Sequence, residues 1–263
     1  MKKSRGSILC AAATVSLLWL AEVPATGQAG KYTPVKTADG KPDLNGIWQV
    51  LNTAAWDIQD HSGQLGVPPG QGVVEGNEIP YQPWAAAKKK ENFANRKTAD
   101  LTESECYQPG VPRATYMPFP FEIVQTPKLI AINYEFAHAS RTINMEKKLH
   151  NDELPAETWM GDPIGRWEGD TLVVDVNGFN DRTWFDQAGN FHSDALHVVE
   201  RYTPTGPDHI LYEATIEDPK VFTRPWKMSM PLYRRLGKNV KLLEYECVYY
   251  LQEERYKAAP FRR

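Results

Sequence analysis

Beyond residue 120 the chain is written in short runs that alternate apolar and polar residues. In Leu129–His138 the positions Ile130, Ile132, Tyr134, Phe136 and His138 follow a period of two, which predicts a strand with all five on one face. Phe121–Gln125 pairs with it across Thr126-Pro127-Lys128, and Arg141–Met145 continues the pattern. Gly165–Trp167 and Thr171–Val176 flank Glu168-Gly169-Asp170, a tight hairpin signal. His197–Tyr202, Ile210–Glu217, Trp226–Tyr233 and Val240–Tyr250 read as further strands, separated by turn residues such as Pro204–Asp208 and Leu236–Asn239. Upstream, Asn45-Gly46 leads into Ile47-Trp48-Gln49-Val50, the expected first strand. One helix stands out, Pro83–Thr98, with Pro at its start and strong helix formers after it. Its Lys88-Lys89-Lys90 run reads as a solvated face.

Two stretches break the rhythm. Leu51–Tyr81 is long for an unpatterned connection, a length that usually belongs to a lid or a mobile segment. Glu103–Pro120 is punctuated by proline and reads as irregular chain lying across the sheet. Short strands at regular spacing, with nothing resembling a βαβ unit, predict one mainly β domain over 30–263: an antiparallel barrel or sandwich with one or two short helices.

Composition adds the compartment. A basic start (Met1-Lys2-Lys3-Ser4-Arg5), an uncharged apolar run Ile8–Leu20 and small residues at Ala25–Ala29 have the layout of a signal peptide over 1–29. The run is shorter than a spanning helix requires, so no stable membrane insertion is expected after cleavage, and the protein is expected to be periplasmic or secreted. Removal of the leader takes Cys10 and leaves Cys106 and Cys247, either a disulfide in an oxidising compartment or two buried thiols. Thirty basic against thirty-three acidic residues, without a basic stripe, excludes nucleic acid as the expected partner. Eight Trp and twelve Tyr point instead to a small-molecule ligand or substrate, and self-association is left open.

Three blocks carry a family resemblance: Gly165-Arg166-Trp167-Glu168-Gly169-Asp170-Thr171-Leu172-Val173-Val174-Asp175, Gly178-Phe179-Asn180-Asp181-Arg182-Thr183-Trp184, and His192-Ser193-Asp194-Ala195-Leu196-His197-Val198-Val199-Glu200-Arg201. The chain resembles a large family of exported bacterial proteins without a settled reaction, so the resemblance implies export and little chemistry. Gly46-Ile47-Trp48 and the Trp167–Leu172 hairpin are also similar to lipocalin-like barrels, which implies a barrel holding one small ligand.

Candidate chemistry concentrates in the polar loop 177–195 and on the strands beside it. His192 is the expected acid or base, oriented by Asp186, with His138 or Tyr134 handling a second proton. Trp184 and Phe191 are expected as apolar walls and Arg141 as an anion partner. Glu200 and Arg201 are adjacent on a strand, so one of them faces inward, and the pattern does not choose between them. No Gly-rich phosphate loop, nucleophile elbow or short-spaced metal motif is present, so neither cofactor nor metal is expected. Two functions follow: a cofactor-independent lyase, hydratase or isomerase for a small aromatic or apolar metabolite, or a binding protein that carries such a ligand unchanged.

Overall fold

Period-two alternation closes a sheet on itself here. The computed structural model describes residues 32–64, 67–150, 158–245, 247, 248, 252, 253 and 257; the expected signal peptide lies outside them. Nine strands among the described residues form a closed barrel in chain order. They are β1 (Gly46–Gln49), β2 (Phe121–Gln125), β3 (Leu129–Tyr134), β4 (Ser140–Asn144), β5 (Asp162–Glu168), β6 (Thr171–Asn177), β7 (His197–Gly206), β8 (His209–Glu217) and β9 (Trp226–Arg234). Neighbours are antiparallel except β4 and β5, which meet in parallel at the single pair Asn144↔Ile164. β9 returns to β1 through Trp48↔Arg234 and Gln49↔Tyr233.

Register decides what faces inward. Val174 lies opposite Glu200, which lies opposite Ala214, and Leu172, Tyr202 and Tyr212 line up in the next row. These residues, with Ile132, Arg141, Met228 and Met230, are buried in the barrel. At one end, Arg234 lies 4.2 Å from the Trp48 ring, and the indole N–H donates to Leu44 O at 2.9 Å. The Trp on the first strand therefore plugs that end, as its position in the sequence suggests.

The other end is covered by the β1–β2 connection and by the loops after β6 and β8. Helix α1 (Pro83–Ala99) matches its expected span. The stretch expected to be irregular, Glu103–Pro120, takes in the end of one short helix, α2 (Leu101–Glu105), and all of another, α3 (Arg113–Tyr116). Their anchor is electrostatic: the fully buried Arg113 makes two bonds to Asp100, at 2.9 and 2.8 Å, and a third to Glu103 at 3.1 Å. Cys106 is disulfide-bonded to Cys247, with Cα atoms 5.9 Å apart, which fits an oxidising compartment. The 51–81 connection is tied into the body, with Ser229 N donating to Val73 O at 2.9 Å and Gln187 N to Ala55 O at 3.2 Å.

Two expected strands change. β3 stops at Tyr134, because Tyr134 N–H donates to Ala139 O and the chain reverses through Ala137 and His138 at positive φ. That reversal brings Ser140 opposite Asn133 and moves Phe136 away from the Ile130–Tyr134 face to pack on Phe119 and Tyr245. The stretch expected as a strand over Val240–Tyr250 has none among its described residues. β9 pairs with β1 to close the ring, while β4 and β5 meet at one pair only.

The bridge closes a loop with a sequence separation of 141 residues. Replacing Cys106 and Cys247 together with Ala is expected to lower unfolding free energy by about 2–5 kcal/mol. Urea denaturation measures it, and reductant should reproduce the loss in the native sequence while leaving the double variant unchanged.

Candidate ligand-binding site

The residues expected to share one pocket separate into three groups. Tyr134, Arg141 and Glu200 meet inside the barrel. The Arg141 guanidinium forks onto both Glu200 oxygens, with Nη2 2.9 Å from Oε1, and the same Nη2 donates to the Tyr202 oxygen at 2.8 Å. The Tyr202 and Tyr212 hydroxyls donate to Glu200 Oε1 at 3.0 and 2.9 Å. Burial opposes the charge on Arg141, but Glu200 and the phenol oxygens outweigh it and raise the guanidinium pKa. Burial first, then the Glu200 charge, holds Tyr202 and Tyr212 protonated. Interior side chains pack around this cluster with almost no exposure, so it forms part of a filled core.

Arg201 points outward and bonds Glu168 at 2.9 Å, an ion pair on the outer wall. His138 is exposed in the β3–β4 turn. Neither reaches the interior: Arg201 is one residue out of phase with Glu200, and His138 lies beyond the end of its strand.

Trp184, Asp186, Phe191 and His192 cover the barrel mouth. The loop folds back on itself through the Trp184↔Phe191 bridge and the bond from Phe185 N to Asn190 O at 2.7 Å. His192 is buried against Phe185 and Phe179. Its Nδ1–H donates to Ser193 O at 2.8 Å, and its Nε2 accepts from the Thr183 hydroxyl at 2.7 Å. Both nitrogens are therefore used by the fold, and burial, the largest influence, holds the imidazole pKa below its usual value.

Asp186 does not orient His192, contrary to expectation. It accepts from Ile58 N at 2.9 Å, from Asn190 N at 3.1 Å and from the Asn190 amide, joining the loop to the 51–81 segment. Burial, then the neighbouring Asp57 charge, pushes its carboxyl up to about 7 against those three donors. Asn190 in turn accepts from the Tyr81 hydroxyl at 2.7 Å.

Helix α1 docks on this loop at Gly189, whose φ is +86°. A Cβ there would stand 2.7 Å from Lys89 O and from Phe93 N, so the close approach requires glycine. Asn92, buried on the same helix face, donates to Gly189 O at 3.3 Å.

Where α1, the loop and the 51–70 segment converge they leave a cleft of two adjoining compartments. One, of about 470 Å³, has Trp56, Val67, Phe93 and Ala188 as apolar walls, with His61, Arg96, Lys97 and Glu103 around them. The other, of about 430 Å³, runs under Tyr81, Ala86 and Phe93, with Lys89 and Lys90 at its edge. Asp57, Phe93 and Ala188 line both. Burial, the largest influence, raises the Glu103 carboxyl pKa although Arg113 lies beside it.

The sequence reading missed Trp56, Asp57, Phe93 and Arg96, because their elements are far apart in the chain and look unremarkable separately. The lysine run on α1 was the available signal, and it was read as solvated. Among the described residues no group of three His, Cys, Asp or Glu is arranged to hold a metal ion, and no helix is long and apolar enough to cross a membrane. Comparison with known protein families and with curated proteins finds no match to this chain.

Replacing Glu200 with Gln, or Arg141 with Met, is expected to cost about 3–5 kcal/mol each, since either leaves a buried charge unpaired. The double variant should cost clearly less than the sum, and urea unfolding of the four proteins checks this.

Asp186 generates a pH dependence. Its folded pKa of about 7 lies above the usual 3.8, so the stability contributed by the protonated carboxyl is complete below about pH 4 and lost as pH rises to about 7. Relative to Asp186→Asn, native stability should therefore fall across that window by up to roughly 1.4 kcal/mol per pH unit and stay level above it. Paired urea titrations read the difference.

Proposed function

We propose that this is an exported binding protein that carries a small aromatic or apolar molecule unchanged in the cleft beside α1. The cleft carries the reading. Its compartments have the size of small-molecule sites, and Trp56, Phe93, Tyr81 and Ala188 supply apolar contact while a few polar groups set orientation. Phe93 stands where the two compartments adjoin and keeps part of its ring exposed. The disulfide supports export into an oxidising compartment, and the resemblance to exported bacterial proteins points the same way. On this reading the loop 177–195 is a wall of the site and holds α1 in place.

The residues best suited to proton transfer favour carriage over chemistry. His192 spends both ring nitrogens on the loop, and Glu200 is sealed inside the barrel. One observation favours the second reading, a cofactor-independent acid–base enzyme: burial and the charge of Asp57, which lines both compartments, raise the Asp186 carboxyl to about 7.

The test is incubation with a bacterial small-molecule extract, followed by native mass spectrometry of the protein and mass analysis of the solution. A ligand held one-to-one with its mass unchanged supports carriage. Ala188→Trp, which fills the shared wall, should weaken that binding at least about tenfold, equivalent to 1.4 kcal/mol. A compound consumed with a product growing in its place would move the assignment to the enzyme, and binding unaffected by Ala188→Trp would remove the cleft.

A further inference from the structure

The seam between β4 and β5 is thin, and it is crossed by a chain of ionisable groups that the cleft does not use. β4 and β5 share the single pair Asn144↔Ile164, and the chain leaves β4 as a strap, 145–150, lying over that junction. Lys147 Nζ on the strap is 2.6 Å from Asp162 of β5. His150, at the end of the strap, places Nδ1 3.4 Å from the same Asp162 oxygen and Nε2 2.8 Å from Asp175 Oδ1 on β6. His197 of β7 brings its own Nε2 to that Asp175 oxygen at 3.0 Å and its Nδ1 to Glu217 of β8 at 3.1 Å.

Both imidazoles therefore have a carboxylate at each nitrogen. A neutral ring has one N–H and can donate to only one of its two carboxylates, so the whole chain of bonds exists only when the rings are protonated. The charges agree with this. Asp175 and Glu217 both face His197, and each favours the charged ring. The other charged groups nearby have partners of their own: Arg166 of β5 pairs with Glu168, and Glu146 pairs with Lys128. Lys148 lies along the strap beside the same groove.

We propose that this network is a pH-sensitive clasp, which holds the 145–150 strap across the β4–β5 seam when His150 and His197 are protonated and releases it when they lose their protons. Beside the strap lies a groove of about 580 Å³, with Met145, Leu149 and Ile164 as apolar walls and Glu146, Lys148 and Arg166 among its charged ones, so the clasp controls access to a surface separate from the cleft. Electrostatics at the network run in the same direction. Burial opposes the charge on His197, but Glu217 and Asp175 outweigh it and raise its pKa. Burial would raise Asp175, yet the two imidazoles outweigh that and lower it. With His197 raised above its usual 6.5, its contribution is complete below that pH and is lost as pH climbs through the higher folded value.

Hydrogen exchange of the intact protein tests the clasp, with the Met145 amide as reporter because it donates to Lys128 O at 2.9 Å where the strap begins. After correction for intrinsic rates, protection over 144–150 should fall about tenfold or more between pH 6 and pH 8.5, one pKa unit being a factor of ten. Protection across β7 and β8 should hold. His150→Gln and His197→Gln should each abolish the pH dependence, and Asp175→Asn should leave the strap unprotected at both pH values. Equal protection at both pH values in the native sequence overturns the proposal without recourse to a variant. So does a pH dependence that survives His150→Gln, and one that disappears on treatment with a chelator would assign the network to a bound metal instead.

Discussion

Glu200 is sealed within the strands, where Arg141 and two phenols reach it. A carboxylate in so dry a place is costly without partners, and here it has the Arg141 fork and the Tyr202 and Tyr212 hydroxyls. Those partners come from β4, β7 and β8, so the bonds form only when strands distant in sequence have taken their register. A slip of one residue on β7 would turn Arg201 inward and leave Glu200 on the outer wall. The cluster thus selects one register and leaves the remaining interior to close-packed apolar side chains.

With the interior filled, the surface available to a small molecule moves to the barrel mouth. Asp186 is the organiser there. By accepting from Ile58 N and from Asn190 it draws the 51–81 segment and the loop after β6 together, and Gly189 then lets α1 approach. The cleft is what remains between three elements fixed in this way. Gln187 N to Ala55 O and the Tyr81 hydroxyl to Asn190 join the same two segments.

The outer wall solves a different electrostatic problem. Asp162, Asp175 and Glu217 stand on β5, β6 and β8 near the mouth, and their repulsion is relieved by Lys147, His150 and His197. The compensation depends on protons in a way that the interior pair, built from arginine, does not.

Strand existence was legible from period two, because a half-buried strand needs alternation whatever its neighbours are. β2, β6, β8 and β9 lie close to where the pattern put them, and so does the plug of Trp48. The disulfide partners were legible as a pair, since only two cysteines follow the apolar run Ile8–Leu20. By contrast, His138 looked like a continuation of the Ile130–Tyr134 face until the turn back to Ser140 ended β3. His192 reads as an acid or base because a sequence does not show that Thr183 and the Ser193 carbonyl take both its nitrogens. The sequence by itself determined which positions alternate, which turns break the strands and which residues can carry charge. Only the tertiary structure decided whether Glu200 or Arg201 faced inward, where Asp186 found its donors and how α1 met the loop, because each of these rests on contacts between segments far apart in the chain.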